Sequence, residues 1–144
     1  MESLFTTNPD IQKRIVATSD LSFAFPTNIP ITHGHLIICP KRVVKTAQEL
    51  TRDELLDIFS LIKKLQPSLK SVFGATGFNY AWNDGEVAGQ SIPHLHIHMI
   101  PRRFGDTGIT EYDPRKFLYR PGSRAVSPQE ELDQVARDIK DALR

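Results

Sequence analysis

The chain has 144 residues, 40% hydrophobic and 24% charged, with a formal net charge of +1 at pH 7. That is enough material for one domain with a real core, and the near-zero charge excludes the basic footprint of a protein that binds nucleic-acid polymers. A single cysteine, Cys39, excludes an internal disulfide. No apolar run approaches the ~20 residues of a membrane span. The opening MESLFTTNPD lacks the charged-then-apolar plan of a secretory leader, so the expected address is the cytoplasm.

In chain order, RIVAT (14–18) and SFAF (22–25) read as short strands parted by Ser19 and Asp20, and Pro26, Asn28 and Pro30 then break the pattern. HLIIC (35–39) is a continuous apolar run closed by Pro40. It predicts a strand buried on both faces, with Cys39 a core residue rather than a reactive thiol. Thr51 and Glu54 form a capping box, and Leu55, Ile58, Phe59, Ile62, Leu65, Leu69 and Val72 follow at helical spacing. Pro67 predicts a kink or restart near 64–67, and Gly74 a stop. GFNYAWN (77–83) reads as a strand with Phe78, Tyr80 and Trp82 on one face. A glycine-rich turn leads from Asp84 to Gly89, and the next strand spans 94–100, ended by Pro101. A long mixed loop comes next. Ser127 and Glu130 make a second capping box, and Leu132, Val135, Ala136, Ile139 and Leu143 give a last helix its apolar face. The order predicts a single α+β domain over 1–144, a mostly antiparallel sheet with helices packed on it.

The chain holds five histidines, and three of them, His94, His96 and His98, alternate with Leu95, Ile97 and Met99. On a strand this sets three imidazoles on one face and three apolar anchors on the other. A solvated histidine row is one reading. A zinc site is a second, although His94 and His98 stand ~13 Å apart by strand rise and no carboxylate or thiolate falls among them. The third is nucleophilic catalysis. A neutral imidazole can attack phosphorus if its other ring nitrogen is held by a partner, while neighbouring rings donate to the phosphate oxygens.

The stretch HLHIHMI (94–100) resembles the histidine-triad motif. GHLIICP (34–40) resembles the strand carrying that family's upstream histidine, and NDGEVAGQSIPH (83–94) its loop into the triad. The likeness runs from about 14 to 103, leaving 104–144 as a C-terminal loop and helix. It is nearest the fragile-histidine-triad type, which hydrolyses dinucleoside polyphosphates. The resemblance implies a role for each matching position. His96 is the nucleophile on the α-phosphorus, His98 stabilises charge, and His94 supports from behind, oriented by His35. Gln90 and Ser91 serve the α-phosphate and leaving group, Asn83 is the amide near the phosphate or ribose, and Asn28 serves the ribose; Gly89 is a turn former whose N–H can also meet a phosphate. His98 stands where the transferase branches carry Gln, which favours water as the second acceptor. The fold implied is HIT-like and the assembly a homodimer. The implied ligand is a purine nucleotide, and the protein needs no metal ligand of its own, with Mg2+ allowed as companion of a polyphosphate. An adenosine phosphoramidate substrate, and a nucleotide sensor or scaffold with incidental turnover, are the alternatives. His33 reads as an incidental loop residue. The mixed basic and aromatic segment 113–124, with Arg115, Lys116, Phe117, Tyr119, Arg120 and Arg124, reads as a solvated loop or dimer contact before a substrate flap; Arg102 and Arg103 stand open between the two.

Overall fold

The computed structural model describes residues 2–107 and 128–142. The chain separates into two compact units, Met1–Ile109 and Thr110–Arg144. Everything that carries the histidine motif falls in the first.

That unit opens with two short helices, α1 (Leu4–Thr7) and α2 (Pro9–Lys13), followed by β1 (Ala17–Thr18), β2 (Ser22–Pro26) and β3 (Leu36–Pro40). Then come the long helix α3 (Arg52–Phe73), β4 (Gly77–Ala81) and β5 (Ile97–Arg102). The five strands form one antiparallel sheet in the order β1-β2-β3-β5-β4. β3 and β5 are its inner pair, with Leu36 opposite Met99, Ile37 opposite His98 and Ile38 opposite Ile97.

Both faces are covered. On one, Ala24, Leu36, Ile38, Ile97 and Met99 pack against Ile58, Leu61, Ile62, Leu65 and Leu69 of α3. On the other, Phe23, Phe25, Ile37 and Cys39 meet Phe5 and Ile11 from the N-terminal helices. β3 is accordingly buried at every position, as its unbroken apolar run predicts. Cys39 is fully buried, and burial pushes its thiol pKa well up.

Several expectations are corrected. Residues 9–13 are helix, and β1 keeps only Ala17–Thr18. The chain enters α2 through Asn8, whose side chain accepts from the amides of Asp10 and Ile11, with Pro9 at the first helical position. α3 runs through Pro67 without restarting. Pro67 and Lys63 are both exposed, so the turn that the proline interrupts lies on the solvent side of the helix. The buried stripe of α3 includes Leu61, whereas Leu55, Phe59 and Val72 are 43%, 62% and 70% exposed. The stripe facing the sheet is thus rotated toward Leu61 and Leu65. The capping box is present, with Thr51 Oγ1 accepting from the Glu54 amide at 3.1 Å and Glu54 Oε1 from the Thr51 amide at 3.0 Å.

β5 begins at Ile97, later than expected, and continues through Pro101. Beyond Met99 it pairs only with β4, so a residue without an N–H is tolerated there. The second unit holds α4 (Gln129–Ala142). Ser127, the side chains of Leu132, Val135 and Ile139, Leu143 and the whole segment 113–124 lie outside the described residues. No helix among the described residues is long and apolar enough to cross a membrane.

Candidate active site

His96 and His98 open onto a cavity of about 350 Å3. One wall is made by Asn83, Gly89 and Ser91 from the loop before β5, and another by Thr27, Asn28 and Ile29 after β2. The N-terminal helices close it with Leu4, Phe5, Asn8, Asp10, Ile11 and Arg14. Six of the expected residues, His96, His98, Asn83, Gly89, Ser91 and Asn28, therefore share one cavity. Gly89 adopts φ +99°, and a Cβ there would come within 3.4 Å of Asn83 Nδ2. That distance is ordinary contact, so it is the left-handed backbone rather than crowding that calls for glycine in this turn.

The hydrogen bonds fix where each ring carries its proton. His96 Nδ1 lies 2.9 Å from the carbonyl oxygen of His94. A carbonyl only accepts, so Nδ1 carries the hydrogen and a neutral His96 leaves Nε2 bare. On the other side, the Ile31 amide donates to His35 Nδ1 at 3.0 Å. His35 in its neutral form then carries hydrogen on Nε2 and donates it to His98 Nδ1 at 2.9 Å. That leaves His98 with its hydrogen on Nε2. Two rings 5.2 Å apart, meeting edge to face, are thus set in opposite tautomers, one an acceptor and one a donor.

Burial keeps these rings neutral. It lowers the pKa of His35 to about 4, with His98 beside it adding to the effect, and lowers His98 to about 4, with His96 adding to it. His96 is also lowered by burial, against the opposing pull of the His94 carbonyl. His94 is lowered by burial first, then opposed by the Pro40 carbonyl and reinforced by His96.

His94 does not face the cavity, and His35 does not orient it. Its ring is fully buried, with Nε2 donating to the Pro40 carbonyl at 2.7 Å and Nδ1 2.6 Å from Ser3 Oγ. The antiparallel register explains the exchange of partners. His35 precedes Leu36, which pairs with Met99, so it reaches His98; His94 lies at the other end of the ladder, by Pro40. Nor does Gln90 line the cavity. Its Oε1 accepts from the Gly85 amide at 2.8 Å and its Nε2 donates to the Lys45 carbonyl at 2.7 Å, so the amide closes the loop on itself and ties it to the segment after β3. His33, Arg102 and Arg103 line a separate cavity of about 560 Å3, in whose wall Arg102 is bound at 2.7 Å to Asp106. Among the described residues no group of three or more histidine, cysteine or carboxylate side chains is arranged to hold a metal ion.

Ser3 and Phe5 were not legible as site residues. Phe5 meets the His96 ring edge-on at 5.0 Å and lies 5.6 Å from that of His94. The Asn8-Pro9 cap signal could have placed a helix here. Nothing in the sequence aims Ser3 at a histidine ninety-one positions away.

The family model of the HIT domain matches residues 8–105. The chain is 37% identical over 131 residues to a bis(5'-adenosyl)-triphosphatase of Dictyostelium discoideum, covering 90% of this chain and 85% of that one. It is 35% identical over 105 residues to an asymmetrical bis(5'-nucleosyl)-tetraphosphatase of Schizosaccharomyces pombe, covering 73% of this chain and 58% of that one. Among solved structures, the diadenosine triphosphate hydrolase of Plasmodium falciparum superimposes with a TM-score of 0.63 at 31% identity, over 69% of this chain and 68% of that one. A family match across most of the sequence, joined by relatives this similar at this coverage, makes the chain a member of the HIT family.

Proposed function

We propose that the protein is a nucleotide hydrolase that cleaves a dinucleoside polyphosphate at an α-phosphate, through a nucleotide held covalently on His96. The observation that carries this reading is the bare Nε2 of His96, left free by the Nδ1–H bond to the His94 carbonyl, beside the donor Nε2–H of His98 in one cavity. In the first step a P–N bond forms between Nε2 and the α-phosphorus, and the P–O bond to the leaving nucleoside phosphate breaks. The ring becomes cationic, and its Nδ1–H, already bonded to the His94 carbonyl, stabilises that charge. His98 donates to a non-bridging oxygen as negative charge gathers there. In the second step a water oxygen bonds to phosphorus and its proton is released to solvent, the P–N bond breaks with its electron pair returning to Nε2, nucleoside monophosphate leaves and His96 returns to neutrality. The names of the relatives support a dinucleoside substrate. Ser91 and Asn83 are the groups offered to the phosphates, Asn28 to the ribose, and Gln90 shapes the loop. Mg2+ would enter only on the polyphosphate.

We also propose that the working form is a homodimer. β4 is an edge strand, and beside it Leu50, Leu55, Phe59, Ile62, Tyr80 and Trp82 line an apolar groove of about 420 Å3. Phe59 and Trp82 are 62% and 49% exposed. An antiparallel edge with an apolar flank is self-complementary about a two-fold axis.

The test is single-turnover incubation with a substrate labelled in the α-phosphate. Wild type should take the label on His96, and His96→Ala should lose both label and turnover while keeping nucleotide affinity within about tenfold. Retained hydrolysis in His96→Ala overturns the reading. Nucleotide binding by wild type without labelling favours a sensor. On one preparation, kcat/KM for a dinucleoside triphosphate, a tetraphosphate and an adenosine phosphoramidate ranks the leaving groups.

A further inference from the structure

Ser3 lies upstream of the span 8–105 matched by the family model, yet it touches the histidine cluster directly. Its own backbone is tied down. The amides of Thr6 and Thr7 donate to the Ser3 carbonyl at 3.1 and 3.0 Å, the hydroxyls of both threonines donate to the same oxygen, and Thr6 Oγ1 accepts from the Ser3 amide at 2.9 Å. The Ser3 hydroxyl is thereby held at a fixed place and hydrogen-bonds His94 Nδ1 at 2.6 Å. Since His94 Nε2–H is given to the Pro40 carbonyl, the serine hydroxyl must be the donor to Nδ1 of the neutral ring. The ring is then gripped at both nitrogens, by α1 on one side and the end of β3 on the other. The His94 amide is also held, by the Ile92 carbonyl at 2.8 Å. Its remaining backbone group is the carbonyl that receives Nδ1–H of His96. Phe5, two residues after Ser3 and 3% exposed, packs against both rings from the same helical turn.

We infer that Ser3 is a positioning residue: by clamping the His94 ring it fixes the carbonyl that sets the tautomer and aim of His96. The N-terminal turn thus belongs to the catalytic apparatus without touching substrate through this hydroxyl. The inference rests on the reading of His96 as nucleophile, and its test separates the two.

Three variants divide hydroxyl from volume. Ser3→Ala and Ser3→Val remove the donor, and Ser3→Thr keeps it. Loss of one orienting hydrogen bond is expected to slow labelling of His96 by about tenfold in Ser3→Ala and Ser3→Val, with KM within about twofold of wild type, and Ser3→Thr should restore the rate. In ligand-free protein, nitrogen-15 spectra of the histidine rings should show His94 in one tautomer in wild type and Ser3→Thr, and a changed Nδ1 signal in Ser3→Ala. A Ser3→Ala protein with unaltered rate and unaltered His94 signals overturns the inference, as does Ser3→Thr behaving like Ser3→Val. Should wild type take no label, the reading of His96 fails and the positioning role fails with it. The ring spectra then still report on the clamp, which an unchanged His94 signal in Ser3→Ala would refute separately.

Discussion

A histidine can be nucleophile or donor, and here the choice is made by what each ring's hidden nitrogen meets. His96 meets a carbonyl and becomes an acceptor toward the cavity; His98 meets another histidine, itself fixed by the Ile31 amide, and becomes a donor. Removing the relay should separate the two roles. His35→Ala leaves His98 Nδ1 without its donor, so the ring can carry its hydrogen on either nitrogen. The labelling rate should fall about 10- to 100-fold with little change in nucleotide affinity, because the lost interaction is strongest as charge builds on phosphate. Measuring single-turnover rate and nucleotide Kd side by side checks this; an equal loss in both would assign His35 to ground-state binding instead. The alternation at 94–98 was enough to single out these rings, but only His98 lies on the strand and His94 turns away from the cavity. Their partners were not legible, because which end of β3 meets which histidine depends on strand register, and register is a pairing between distant segments.

At the level of elements, the loop before β3 is held by the end of α3. Gly34 has φ +88°, and a Cβ there would stand 2.6 Å from Phe73 Cδ2. Gly34→Ala combines a strained backbone with an overpacked contact and should cost about 2–4 kcal/mol in urea unfolding. Combining it with Phe73→Ala should recover the steric part and leave the backbone part, which a double-mutant cycle reads directly. The strands β2 and β3, the start of α3 at its capping box and its end at Gly74 could all be taken from the chain, since each is declared by neighbours within a few residues. The helix α1 and the tilt of the α3 stripe toward Leu61 could not, and α2 was declared only by its Asn8-Pro9 cap. Short helices are stabilised mainly by what they pack on, and Leu55 and Phe59 satisfy the helical period as well as Leu61 does. Only the sheet decides which of them it covers.

For the whole molecule, the buried neutral histidines make stability depend on pH. His35 and His98 have folded pKa values of about 4, below the ordinary ~6.5 of an unfolded histidine, so between those values the unfolded chain binds more protons. Stability is therefore full above about pH 6.5 and declines as pH falls toward 4. Tm measured across that window should drop, and His98→Asn should shallow the slope; a flat Tm profile would contradict neutral burial of the pair. Assembly is a second property at this scale. Phe59→Glu sets a charge in the apolar groove and should shift the protein to monomer in sedimentation equilibrium, while a monomeric wild type at micromolar concentration would refute the dimer. Finally, β5 carries His98 on one side and the fully buried Met99 on the other, and its neighbours are β3 and β4. The amides of its paired residues should be among the slowest to exchange with deuterium, opening only when the whole unit unfolds. The loop at 83–91 joins no strand: it is held by its own turn, with the amides of Ala88 and Gln90 on the Gly85 carbonyl and that of Gly89 on the Glu86 carbonyl, and by the Gln90 side chain. Under the proposed hydrolysis, substitutions at exposed positions of that loop should change which leaving groups are admitted while the β3–β5 pairing that holds His98 stays in place.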